Sequence, residues 1–164
     1  MDYIHDQVAE ARALRKDDEL DESQAILLAL MDDYPSDPLV LFEVGGSYDV
    51  MGEEELAVPY YRRAIAEGLQ EPDRQECLIC LGSSLRVIGE TEEAVETLQD
   101  AVEDYRDLPS IKVFLALALL DDGEEKDAAA MLLDVILQTT NSSDIQSYAN
   151  ALEYYRDELR GELD

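Results

Sequence analysis

Cys77 and Cys80, spaced as Cys-x-x-Cys, and the single histidine, His5, are the residues whose types could support redox, nucleophilic or metal chemistry. A zinc site takes four ligands, and here two thiols have one distant imidazole to join them. A dithiol redox pair belongs at a helix start after a strand, whereas the spacing around these cysteines puts both inside a helix. They read as partly buried structural residues. His5 has no nucleophile motif to serve, which argues against Ser-His-Asp and Cys-His sites. The 40 Asp and Glu residues are so evenly spread that no acid/base pair stands out. None of them falls in calcium-loop spacing, and no glycine run forms a phosphate cradle. The sequence therefore predicts no catalytic residue, no metal and no cofactor: a protein that is not an enzyme.

What positions these residues is a repeat. Gly45, Gly82 and Ala116 lie 37 and 34 residues apart. Each is followed seven residues on by a glycine (Gly52, Gly89, Gly123), then an acidic run, then five residues beyond that glycine an alanine (Ala57, Ala94, Ala128). Small residues at fixed offsets in a 34-residue period predict a helix pair stacked on copies of itself. Four units result, 4–37, 38–71, 75–108 and 109–142, with Pro72-Asp73-Arg74 inserted between the second and third. The remaining 143–164 is predicted as one capping helix, with Ser142 or Ser143 as its cap and Ile145, Tyr148, Ala149, Leu152, Tyr155, Leu159 and Leu163 on one face. A homodimer contact, or a self-peptide lying in the groove, is the alternative role for that helix.

Within a unit, the first helix carries a stripe such as Leu41, Val44, Gly45 and Tyr48. Gly52 ends it, because glycine accepts the left-handed conformation of a helix end. Glu53-Glu54-Glu55 opens the next helix, where carboxylates suit the positive end of the dipole. Gly or Ala at the crossing lets two backbones approach. Asp37-Pro38 and Asp107-Leu108-Pro109 place an acceptor just before, and proline at, the first turn. The first unit departs from the pattern, with Lys16-Asp17-Asp18 in place of the turn glycine and Ser23 in place of alanine. Pro59 is predicted to kink or delay its helix.

A single domain of 164 residues with 46% hydrophobic content suffices for a buried core. The net charge of −28 repels phosphate backbones and anionic bilayers, so neither nucleic acid nor membrane is an expected partner. Most of this acidity reads as a solvated surface, with a basic partner or salt adaptation as further readings. No segment reaches transmembrane length, and the start Met1-Asp2-Tyr3-Ile4-His5-Asp6 lacks the basic, apolar pattern of a signal peptide, so a cytoplasmic location is expected.

Leu41, Val44-Gly45, Tyr48, Ala57, Tyr61 and Ala64, echoed by Leu78, Leu81-Gly82, Ala94, Leu98 and Ala101, resemble the pattern of the tetratricopeptide repeat (TPR) family, as found in small bacterial TPR proteins. The resemblance implies an all-α fold, an α-solenoid of about four TPR helix-turn-helix repeats plus the C-terminal cap. It also implies that the first helix of each pair lines a concave groove. Carried onto this chain, the peptide-binding residues are Arg12, Lys16, Phe42, Gly46, Val50, Ile79, Ser83, Arg86, Val87, Val113 and Leu117, with Val8, Asp49 and Leu120 on the same face. The carboxylate clamp of some family members is absent, since Arg12, Glu43 and Gly46 stand where its residues would be. Three functions compete: a protein–protein interaction scaffold holding a peptide or protein segment, a small acidic TPR chaperone holding an apolar client, and a carboxylate-based enzyme or regulator of phosphotransfer. An ion pair from Arg12 or Arg86 to a ligand carboxylate is the expected polar contact.

Overall fold

The computed structural model describes residues 3–163. Met1, Asp2 and Asp164, the ends of the predicted domain and of the predicted tail helix, lie outside them. The described residues form ten helices and no strand: α1 Tyr3–Lys16, α2 Leu20–Asp33, α3 Pro38–Val50, α4 Glu54–Ala66, α5 Asp73–Val87, α6 Thr91–Asp104, α7 Pro109–Asp121, α8 Glu125–Thr139, α9 Ser143–Gln146 and α10 Ala149–Arg160. They divide into two compact units, one up to Ile88 and one from Gly89 onward.

In the first unit α1 pairs with α2 and α3 with α4, while α5 packs on α4 and α3. Gly45 sits where α3 crosses α4. A Cβ there would lie 2.8 Å from two ring carbons of Tyr61, which is closer than such atoms come, so the ring occupies the space the missing side chain leaves. Tyr61 is fully buried as a result. At the corresponding crossing of α1 and α2, the small pair is Ala11 and Ser23. The Ser23 hydroxyl, though buried, donates to the Ala11 carbonyl at 2.8 Å, so this departure from alanine leaves no polar group unsatisfied. Val8, Ala11, Leu27, Leu30, Val40 and Val44 close the core between these two hairpins.

Gly52 adopts φ 76° at the α3–α4 turn, as the pattern predicts. Asp18 takes the same left-handed conformation, φ 66°, at the α1–α2 turn where the sequence lacks glycine. Asp37 caps α3, its carboxylate accepting from the amides of Leu39 and Val40 at 3.0 Å each. Asp107 does not cap α7, because Leu108 takes the capping position and offers no side-chain acceptor. Pro59 neither delays nor interrupts α4, which runs from Glu54 through it to Ala66.

The second unit holds α6 to α10. Here α6 packs on α7, α7 on α8, and α10 on α8. Ile111, Leu115, Ala116, Ala118 and Leu119 of α7 and Ala128 and Ala130 of α8 are buried. The tail is two helices rather than one. The Ser147 hydroxyl donates to the Asp144 carbonyl at 2.6 Å, closing a local turn after α9, and Gly161 at φ 70° ends α10. The predicted apolar face of the tail is only partly used. Leu152 and Leu159 are half-buried, whereas Ile145, Tyr148, Tyr155 and Leu163 remain exposed, Tyr148 at 63%. Polar contacts help to hold α10: Arg156 and Arg160 both bond to Asp134 of α8.

Candidate functional site

In the first unit, the first helices α1, α3 and α5 contribute side chains to a cavity of about 480 Å³ lined by Arg12, Arg15, Lys16, Phe42, Glu43, Gly46, Asp49, Val50, Tyr61, Glu76 and Cys80. Helical spacing explains the set. Phe42, Gly46, Asp49 and Val50 follow one stripe of α3, and Glu76 and Cys80 stand one turn apart on α5. Tyr61 reaches in from α4 because Gly45 lets its ring pass.

One wall is an ionic network. Glu43 is only 2% exposed and accepts from Arg12 Nε at 2.7 Å and from Arg15 Nη2 at 2.9 Å. Arg12 also donates to Asp73 at 2.7 Å. One buried carboxylate thereby ties the first hairpin to the second, and Arg12 carries the tie to α5. The opposite wall is aromatic and acidic. The Phe42 and Tyr61 rings lie 6.0 Å apart, and the Tyr61 hydroxyl donates to Asp49 at 2.7 Å. Burial raises Asp49 above the ordinary carboxylate value, and the Tyr61 hydroxyl offsets this only in part. Lys16, Val50 and Glu76 are exposed.

Five of the predicted binding residues, Arg12, Lys16, Phe42, Gly46 and Val50, line this cavity. Two of them differ from expectation. Phe42 is buried against Tyr61, with 5% exposure, rather than presented as an open anchor. Arg12 is engaged by Glu43 and Asp73 rather than held ready for a ligand carboxylate. Val8, placed on the same face by the family resemblance, is core. Ile79, Ser83, Arg86 and Val87 lie on α5 outside the cavity lining, Val87 being 56% exposed. Val113 and Leu117 lie on α7 in the second unit. Sequence reasoning missed the roles of Glu43, Tyr61 and Glu76. Glu43 carried a usable signal, since a carboxylate inside the run Leu41-Phe42-Glu43-Val44 needs a cation if that run is buried.

The cysteines are poorly suited to thiolate chemistry. Cys77 is buried with its thiol 3.7 Å from the Tyr61 carbonyl, and burial raises it well above the ordinary thiol value. Burial, with Asp49 and Glu76 adding like charge, pushes Cys80 up to about 12. Both therefore stay protonated at neutral pH inside a helix, Cys77 in the core and Cys80 half-buried at the cavity wall. Among the described residues, no group of three or more His, Cys, Asp or Glu side chains is placed to hold a metal ion. Nor is any described helix long and apolar enough to cross a membrane.

Comparison with known proteins agrees with the hairpin geometry. The crystal structure of YrrB, described as a TPR protein with an unusual peptide-binding site, is 19% identical, with a TM-score of 0.70 over 92% of this chain and 76% of that one. A putative kinesin light chain from Podosopora anserina, with nearly identical TPR-like repeats, is 18% identical, with a TM-score of 0.71 over 97% and 95% of the two chains. MamA from Desulfovibrio magneticus RS-1 is 16% identical, with a TM-score of 0.63 over 96% and 95%. At such identities the likeness is one of fold. No curated protein matches the chain. The family described as Tetratrico peptide repeat matches residues 38–159, and with that match and these hairpins the chain belongs to the tetratricopeptide repeat family, an all-α solenoid class.

Proposed function

We propose that this protein is a non-catalytic interaction scaffold that binds a peptide or protein segment, with the cavity of the first unit as a principal contact. The observation that carries this reading is the cavity's composition. It combines an apolar wall, the exposed Val50 beside the packed Phe42 and Tyr61 rings, with charged groups of both signs, and such a mixture suits a chain segment. YrrB, similar in fold, is described as having a peptide-binding site, which supports the reading by analogy. A photo-crosslinking side chain at Val50, exposed to 48%, tests it against the same group at Glu96 on α6. Capture of one protein segment at Val50 and not at Glu96 is the expected result. Equal capture at both positions overturns the assignment.

Exposed aliphatics on the first helices, Val50, Val87, Leu117 and Leu120, favour a second reading as a chaperone for an apolar client. The two readings separate on the client's behaviour alone. A chaperone keeps its client soluble, whereas a scaffold binds a partner that is soluble without it. A homodimer contact through the C-terminal helix is part of the same proposal. Because Leu152 and Leu159 are partly covered, it would use the exposed Tyr148, Tyr154 and Tyr155. A monomeric mass by sedimentation at high protein concentration removes it.

A further inference from the structure

We infer that the cavity of the first unit recognises a basic side chain, lysine or arginine, of the bound segment, and that Asp49 is the residue that pairs with it. This deepens the binding function proposed above and rests on it.

Charge accounting within the cavity leads to Asp49. Arg12 pairs with Glu43 and Asp73 and Arg15 with Glu43, at 2.7 to 2.9 Å, so both guanidiniums are engaged, although Arg15 Nε is buried without a hydrogen-bond partner. Asp49 has no such partner among the described residues. It accepts one hydrogen bond from the Tyr61 hydroxyl at 2.7 Å and has the Ser84 hydroxyl nearby. A carboxylate offers about four acceptor positions, so room for a cation's donors remains. Glu54, of the same sign, raises Asp49 further. Glu76 adds a second carboxylate to the lining, and Cys80 beside Tyr61 is a neutral thiol. Lys16 also lines the cavity and is exposed to solvent.

A half-buried carboxylate without a cation is a standing cost to the fold, which an incoming cation offsets. The surroundings suit a cation on an aliphatic stem rather than a small ion. Val50, 48% exposed, presents aliphatic surface for the stem, while the Phe42 and Tyr61 rings are packed on each other behind the wall. The net charge of −28 steers cationic segments toward the molecule and acidic ones away. An acidic ligand would meet Asp49 and Glu76 and find both arginines engaged, with the exposed Lys16 at the rim to attract it.

The test is phage selection of random decapeptides on the full chain, followed by fluorescence anisotropy of the selected peptides and amide NMR mapping. The expected result is enrichment of Lys or Arg beside apolar residues, with shifts at Gly46, Val50 and Cys80. Affinity should fall about tenfold or more for Asp49→Asn, and equally when the basic residue becomes norleucine. Asparagine still accepts from Tyr61, so the variant keeps its local contact, and circular dichroism checks its helices. Glu96→Gln, which removes one charge on α6, should leave affinity unchanged. Peptides that shift the cavity amides without a basic residue, or that bind Asp49→Asn as well as the parent, overturn this inference and leave the binding function standing. Failure to select any peptide, or shifts confined elsewhere, overturns both.

Discussion

Asp18 and Asp49 show two different costs that single residues impose on this fold. Asp18 holds φ 66° at a turn where the second unit's counterpart is Gly52, and a side chain in that region is strained. Asp18→Gly should raise stability by about 0.5–1 kcal/mol, less than the full strain because glycine also loosens the unfolded chain; urea midpoints check this. Asp49 carries a cost of charge rather than of backbone. Burial raises its titration above the ordinary carboxylate value, so between that value and the raised one the native state holds a proton the unfolded chain has lost. The stabilisation from Asp49 is complete below the ordinary value and is lost as pH rises through the raised one. Asp49→Asn, neutral at every pH, should therefore exceed the parent in stability at pH 7 and match it in acid. A set of urea melts from pH 3 to pH 7 reads the difference. A variant more stable than its parent yet weaker in binding would mark a residue retained for function.

Between elements, the tie that matters most is Glu43, which joins α3 to α1 through two arginines and, by way of Arg12, to α5. Removing one partner of a buried ion pair costs about 3–5 kcal/mol when the remaining charge is stranded. Arg12 and Arg15 are 41% and 25% exposed, so water relieves part of that, and Glu43→Gln should cost about 1–3 kcal/mol by thermal or urea denaturation. The network was hard to read in the sequence for a physical reason. Helices and their turns announce themselves locally: Gly45, Gly52 and Ala57 recur with a fixed register, and the acids after each glycine mark the next start. Pairing Arg12 with Glu43 and Asp73 spans 31 and 61 residues and has no periodic signature. The same limit explains Phe42 and the tail. The family resemblance implied that Phe42 lines an open face, but the ring turns in against Tyr61. The tail's apolar stripe gave no hint that Ser147 and Gly161 would divide and end it.

For the molecule as a whole, the excess of 40 carboxylates over 12 basic residues sets behaviour that no local contact controls. Arg12, Arg15 and Lys16 line one cavity together with Glu43, Asp49 and Glu76, so outside it nine basic residues stand against 37 carboxylates. Self-repulsion of that kind destabilises the compact state, because unfolding lets the charges separate. Salt screens it: the Debye length shrinks from about 30 Å at 0.01 M to about 3 Å at 1 M. The melting temperature should therefore rise with added potassium chloride, the reverse of a fold held mainly by exposed ion pairs. The Glu43 network works against this trend only weakly, since its carboxylate is buried and screened less. Binding of a basic segment should respond in the opposite sense, weakening over the same range as steering and pairing are screened. Thermal melts and anisotropy in one salt series separate the two terms. A melting temperature that falls with salt would show that the surface charges stabilise the native state and that local ionic ties outweigh the repulsion.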